Sequence, residues 1–224
     1  MLKLIIAGLI SVIISYLLGS CNSSIITVRL LKHEDIRERG SKNAGLTNTL
    51  RCYGKIPALI TLIGDLAKGI IAVLISRLIF TFIVGADNFD LQTIGYISGI
   101  AAIIGHIFPI YYGFKGGKGV LVSSSILIVI DPLTFAIIIP FFLIITLITR
   151  YVSVGSISAA VFYPVLTFVL HYFVENIPMN LCIIHTCLVA VTSILLIYMH
   201  RENIKRLRNG TENKFGKKKE KNNG

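Results

Sequence analysis

Residues 119–149 read GVLVSSSILIVIDPLTFAIIIPFFLIITLIT, 31 positions that carry one charge, Asp131, with a proline directly after it. A helix that crosses hydrocarbon needs about 20 apolar residues. Proline cannot continue a helix interior, and Asp before Pro favours a turn. The stretch therefore divides into 119–130 and 133–149. Each half is short for a full crossing, so tilt or a partly buried re-entrant half is expected. Depending on these two halves, the chain crosses the membrane five times or seven.

The rest of the chain is built alike. Windows 4–28, 91–114, 151–174 and 176–199 carry no charge, and 56–84 is apolar except for Asp65, Lys68 and Arg77. With 54% apolar and 15% charged residues and a mean hydropathy of +0.78, a soluble domain is excluded. The fold class is all-α, a polytopic membrane helix bundle of about seven transmembrane helices. We expect one transmembrane domain over 1–200, with cytoplasmic loops 29–55, 113–118 and 150–156, and a basic cytoplasmic tail over 201–224. The first segment is too long for a cleaved signal peptide, and no A-x-A-like site follows it.

Charge sets the topology. Nineteen of the 22 Lys and Arg residues fall at 29–55, 115–118, 150 and 201–221, while the gaps without basic residues carry Asp87, Asp90, Asp131 and Glu175. Basic loops face the cytoplasm, which places the N-terminus outside and the C-terminus inside. Seven crossings satisfy every charge except Lys3, and five fit equally well if 119–149 dips in and out from the inside. The net charge of +11 is read as topogenic and directed at anionic lipid headgroups; no nucleic-acid partner is expected. The trailing KKKEKNNG, 217–224, reads as a lipid-binding tail. Cys21, Cys52, Cys182 and Cys187 show no CxxC pattern and are read as packing residues. Neither metal nor cofactor is expected.

Inside 56–84, Asp65 and Lys68 are three apart and share a helix face. Charges at that depth pair or line a cavity. The pair either fixes a functional loop from below or serves as an interhelical strut, and Arg77 is expected to snorkel to the outer interface.

Four basic patches hold the residues able to carry chemistry. In DIRERGSKNAGLTNTLRCYG, 35–54, glycines free the backbone, so that successive N–H groups can point at one ligand. Ser41, Asn43, Thr47 and Asn48 add neutral polar groups, and Arg51 offers a fork suited to phosphate. In GHIFPIYYGFKGGKGV, 105–120, Gly116 and Gly117 sit between Lys115 and Lys118 and run into a helix, a generic phosphate cradle without P-loop spacing. His106 is a candidate base or oxyanion donor. In RYVSVGSISAA, 150–160, Ser153 and Ser156 lie at a helix start, where they cap it or meet a ligand. In HRENIKRLRNGTENKF, 200–215, His200 and Asn203 lie three apart on one face.

These patches, in this order, resemble the bacterial membrane acyltransferase family that uses acyl phosphate to acylate glycerol 3-phosphate. They are similar to its GSGNxGxTNxxR, GHxFPxxxxFxGGKGV, RYVSxxS and HRxNIxRLxxGxE motifs, and DLAKG around Asp65 and Lys68 also matches. The resemblance covers essentially the whole chain. Lys42 stands where Gly is usual, Cys21-Asn22-Ser23 replaces Ile-Pro-Phe, and Leu121-Val122 replaces Ala-Thr.

The resemblance implies a seven-helix bundle in the bacterial cell membrane with its site on the cytoplasmic side. It also implies transfer of a fatty acyl group to the 1-hydroxyl of glycerol 3-phosphate, giving lysophosphatidic acid and phosphate. Such chemistry asks for two phosphates held together and an oxyanion stabilised. We expect Ser41, Arg51, Lys115, Gly116, Gly117 and Lys118 to bind phosphate, helped by Asn43, Thr47, Asn48, Ser153 and Ser156. Asn203 and His200 are expected to donate toward the acyl carbonyl or to orient the acceptor. The proton acceptor is a substrate phosphate or His106, and a contact between the tail and the soluble enzyme that makes acyl phosphate is left open. The alternative is a transporter or channel for an anionic solute, which would bring inverted repeats and midplane polar residues; the sequence shows no repeat.

Overall fold

The computed structural model describes residues 1–85 and 89–215; Asp87 and the Lys-rich stretch 217–221 lie outside the described residues. Among the described residues, ten α-helices follow one another: α1 (Leu2–Ser20), α2 (Ser23–Lys32), α3 (Leu46–Tyr53), α4 (Lys55–Ile83), α5 (Leu91–Ile107), α6 (Val120–Ile130), α7 (Pro132–Thr149), α8 (Val152–Phe173), α9 (Met179–Met199) and α10 (Arg201–Arg208). Among the described residues there is no strand.

Six segments of the described residues are long and apolar enough to cross a membrane: Leu2–Lys32, Lys55–Ile83, Leu91–Tyr112, Pro132–Thr149, Val152–Phe173 and Met179–Met199. The chain is a multi-pass membrane protein. Its exposed Leu, Ile, Val and Phe side chains are those a lipid-facing surface requires. The helix α6 has 11 residues, about 16 Å at 1.5 Å per residue, which spans about half the hydrocarbon. The uncharged window 4–28 is not one helix. It breaks between Ser20 and Ser23, where the Asn22 side chain accepts from Ile25 N and starts α2.

Capping side chains set the other boundaries. Asp90 accepts from Thr93 N at the start of α5. Asp131 ends α6 and accepts from Thr134 N at the start of α7, with Pro132 in the first turn, the break expected at Asp131-Pro132. Packing runs α1 on α4 and α5, α6 on α4 and α5, α7 on α8, and α8 on α9, which returns to α5. The α1–α5 crossing depends on glycine: a methyl group on Gly19 would collide with the Ala102 carbonyl, and one on Gly105 with the Tyr16 carbonyl. Small residues let membrane helices approach closely in this way. Arg77 is half-buried and donates to Leu91 O and Val129 O, both at 3.3 Å. Its guanidinium thereby reaches the start of α5 and takes up a carbonyl left open in the last turn of α6.

Candidate active site

The loop between α2 and α3 is folded by two side chains. Asp35 accepts from Arg37 and Arg29, at 2.7 and 2.8 Å. Hydrogen bonding from Arg37 holds its carboxyl far below the usual range. Arg37 then reaches across to Tyr112 O (2.6 Å) and Lys115 O (3.2 Å), tying this loop to the one before α6. Asn48, expected as a ligand group, is the second organiser. Its Nδ2 donates to Arg39 O (3.0 Å) and Asn43 O (3.1 Å), and its Oδ1 accepts from Ser41 N (2.9 Å). An amide fully engaged with its own loop positions neighbours and has little left for a ligand.

The Gly116-Gly117 stretch does not offer its N–H groups as expected. Gly116 N donates to Ile107 O (3.0 Å) and Gly117 N to His106 O (3.1 Å). The glycines are needed for close approach: a methyl group on Gly117 would collide with His106 Nε2 and lie 2.6 Å from Ala44 O. Lys115 is exposed. What remains of that cradle is Lys118 and the start of α6.

The third component comes from the C-terminal segment. Residues 209–215 fold back after α10, and Phe215 N donates to Arg150 O (2.7 Å). This brings Glu212 beneath three donors: Ser153 Oγ (2.9 Å), Asn203 Nδ2 (2.6 Å) and Arg206 Nε (2.7 Å). Burial works to raise the Glu212 carboxyl, but the bonds from Asn203, Arg206 and Ser153 outweigh it and hold it below the usual range. Asn203 Oδ1 accepts from Lys118 Nζ, so a bracket runs from Glu212 through Asn203 to Lys118. Ser153 therefore bonds Glu212 and does not cap α8, and Ser156 Oγ donates to Val152 O (2.9 Å).

These parts converge on a cavity of about 430 Å³. Of the residues expected at the site, Ser41, Asn43, Thr47, Asn48 and Arg51 line one side. Lys118, Ser153, Ser156, His200 and Asn203 line the other, and Asp65 and His106 also reach the wall. Lys115, Gly116, Gly117 and Lys68 do not. Three helices, α3, α6 and α8, begin at this cavity, and none has a side-chain cap. Uncapped first N–H groups and the positive ends of helix dipoles are features that attract anions. Arg51 makes no ion pair among the described residues. Lys118 is brought down to about 8 by burial and by Arg206 and Arg51, with Glu212 opposing. Away from the polar mouth the cavity continues between α6, α7 and α8, lined by Leu127, Ile138, Phe142, Ala160 and Tyr163.

The two histidines of the wall have opposite proton positions. The Lys68 ammonium pairs with the Asp65 carboxylate (Oδ1 at 2.9 Å) and directs hydrogens at Cys21 O (3.2 Å) and His106 Nδ1 (2.8 Å). An ammonium only donates, so His106 Nδ1 accepts and its Nε2 carries the hydrogen. That removes His106 as a base and leaves it a donor. At His200, Nδ1 lies 2.8 Å from Leu196 O. A carbonyl only accepts, so Nδ1 carries the hydrogen and Nε2 presents a lone pair, the reverse of a donor to an acyl carbonyl. Asp65 and Lys68 act both as a strut, through Cys21 at the end of α1, and as a support beneath the site.

Glu212 and Arg206 were not singled out from the sequence, although the HRxNIxRLxxGxE pattern includes both positions. An acid inside an anion site runs against simple charge matching, and its partners become visible only after the tail folds back.

Comparisons with known proteins bear on the chain as a whole. The family model described as glycerol-3-phosphate acyltransferase matches residues 9–210. A curated glycerol-3-phosphate acyltransferase of Halalkalibacterium halodurans is 41% identical over 95% of this chain and 98% of its own. One from Chlorobaculum tepidum is 39% identical over 92% and 97%. The crystal structure of PlsY, an integral membrane glycerol 3-phosphate acyltransferase in its glycerol 3-phosphate form, aligns with a TM-score of 0.76 at 34% identity, covering 93% of this chain and 96% of that one. Its lysophosphatidic acid form aligns with a TM-score of 0.72 at 32% identity, covering 93% and 95%.

Proposed function

Because the chain belongs to the glycerol-3-phosphate acyltransferase family, we propose that it moves a fatty acyl group from acyl phosphate to the 1-hydroxyl of glycerol 3-phosphate, giving lysophosphatidic acid and phosphate. The observation that carries this reading is the shape of one cavity. Its mouth is lined by three uncapped helix starts with Arg51 and Lys118, and its depth is apolar. Two phosphates belong at such a mouth and one acyl chain in such a depth. An anionic solute in transit would find no polar route onward through Leu127, Ile138 and Tyr163, which argues against a transporter.

Acyl phosphate is a mixed anhydride and is already activated. The acceptor oxygen attacks the carbonyl carbon, the bond from that carbon to the phosphate oxygen breaks, and the hydroxyl proton passes to a substrate phosphate. The chain's residues need to position these groups and to stabilise charge. Arg51, Lys118, Ser41 and the helix starts hold phosphate. His106 Nε2–H donates toward negative charge at the mouth. His200 Nε2 accepts from the acceptor's 2-hydroxyl and so orients it, leaving the 1-hydroxyl proton free to pass to phosphate. Asn203 holds Lys118, and Glu212 holds Asn203 and Ser153. The basic loops border this mouth, so the site faces the cytoplasm of a bacterial cell, with the N-terminus outside.

Membranes containing the protein, supplied with acyl phosphate and labelled glycerol 3-phosphate, are expected to form labelled lysolipid without acyl-CoA or acyl carrier protein. No lysolipid from folded protein overturns the reading.

A further inference from the structure

The end of the bundle opposite the cavity holds a polar cluster with no part in acyl transfer. His171 on α8 and His185 on α9 are both 0% exposed, and their Nδ1 atoms lie 3.3 Å apart. Each outer nitrogen faces a carboxylate. His171 Nε2 is 3.0 Å from Asp131 Oδ2, and His185 Nε2 is 2.9 Å from Asp90 Oδ2.

An ionised carboxylate only accepts, so both Nε2 atoms carry hydrogen. Two neutral imidazoles with hydrogen on Nε2 would then turn two Nδ1 lone pairs at each other, buried and unmatched, which is costly. One additional proton resolves this, because Nδ1–H of one ring donates to Nδ1 of the other. A second additional proton would set two N–H groups against each other. We infer that His171 and His185 together form a binding site for a single proton, shared between their Nδ1 atoms and balanced by Asp90 and Asp131.

The surroundings are consistent with one buried positive charge. From α5, Gln92 Nε2 donates to Ile130 O at 3.2 Å and stands 3.3 Å from His171 Nε2 as a second N–H group, the Thr93 hydroxyl donates to Asp90 and can accept from His185 Nε2 at 3.0 Å, and the Tyr96 hydroxyl donates to Asp131 at 3.4 Å. From the end of α8, Glu175 Oε2 lies 3.7 Å from His171 Nε2. From α4, the Arg77 cation stands near Asp90 and is engaged with backbone carbonyls. Tyr163 of α8 stands near Asp131, and Cys182 of α9 near Glu175, its thiol bonded to Ile177 O. Glu175 and Asp90 are each 31% exposed at the side chain, which gives the buried pair a route to water.

The bound proton works as a clasp. Asp90 starts α5 and Asp131 joins α6 to α7, while the imidazoles belong to α8 and α9. One proton therefore ties together the ends of helices that wall the cavity at their other ends. This inference does not depend on which reaction the cavity performs.

The test uses the full chain purified in detergent, wild type and His185→Asn. An Asn side chain donates its amide hydrogen to His171 Nδ1 and so requires no extra proton. The wild type binds one more proton folded than unfolded, so its stability falls as pH rises and the proton leaves. Its unfolding midpoint is expected to drop by about 4 °C relative to the variant between about pH 6 and pH 9. Parallel pH dependences overturn the inference. If the variant does not fold, nitrogen NMR of ¹⁵N-histidine-labelled wild type decides alone. One charged imidazole with an Nδ1 hydrogen shared to a second ring at neutral pH is expected, and five neutral rings overturn it.

Discussion

Lys68 Nζ lies 2.8 Å from His106 Nδ1, so a buried cation fixes where the hydrogen sits on an imidazole of the cavity wall. If the His106 Nε2–H is what the site uses, a side chain that keeps a donor there retains function. His106→Gln is expected to keep most activity, whereas His106→Leu and Lys68→Met lower kcat about 10²-fold, the cost of losing a preorganised donor. Steady-state kinetics on membrane preparations with matched protein content check this. Equal activity of the Gln and Leu variants would remove the donor role.

Glu212 receives hydrogen bonds from Ser153, Asn203 and Arg206, and its side chain is 7% exposed. Glu212→Ala is expected to lower stability by about 2–3 kcal/mol, since it leaves charged and polar donors unmatched. Activity falls further, because Lys118 loses the bracket formed by Asn203. Thermal unfolding together with kinetics separates the two effects.

Lys42 adopts φ 59°, a left-handed conformation that costs a side-chain-bearing residue about 1 kcal/mol. Lys42→Gly is expected to raise the unfolding midpoint by about 2–4 °C and to leave KM unchanged, because Lys42 is exposed and does not line the cavity. Thermal unfolding in detergent measures the shift.

Lys118 sits at about 8, with burial the main cause. Its charge is lost as pH rises through that value, which weakens the hold on phosphate. KM for both substrates is expected to rise above about pH 8 while kcat changes less. Lys118→Arg flattens that alkaline rise, since guanidinium stays charged. A KM that is flat from neutral to alkaline pH in wild type would contradict this.

Much of the fold was legible because membrane helices are written as uncharged runs. Asp131-Pro132 was correctly read as a break, since an acid and a proline there serve no hydrophobic purpose. The break at Ser20–Ser23 was not legible: Asn22 becomes a cap only after the chain turns, and no charge marks the place. At the site, Arg51 and Lys118 were readable as cations set among Gly, Ser and Asn. Gly116 and Gly117 were misleading, because glycine serves a ligand-facing backbone and a close tertiary contact equally well, and only the position of His106 decides. The proton positions of His106 and His200 were out of reach, since Lys68 and the Leu196 carbonyl set them through space and along the helix.

The central claim is direct acyl transfer from acyl phosphate to glycerol 3-phosphate at the one cavity where α3, α6 and α8 begin. The most direct measurement follows inorganic phosphate and lysophosphatidic acid together, using purified protein with acyl phosphate and glycerol 3-phosphate. The account predicts equal amounts of the two products, dependence on glycerol 3-phosphate, and loss of both in Arg51→Ala. Phosphate release that does not require glycerol 3-phosphate, or lysophosphatidic acid made equally well from acyl-CoA, would contradict it.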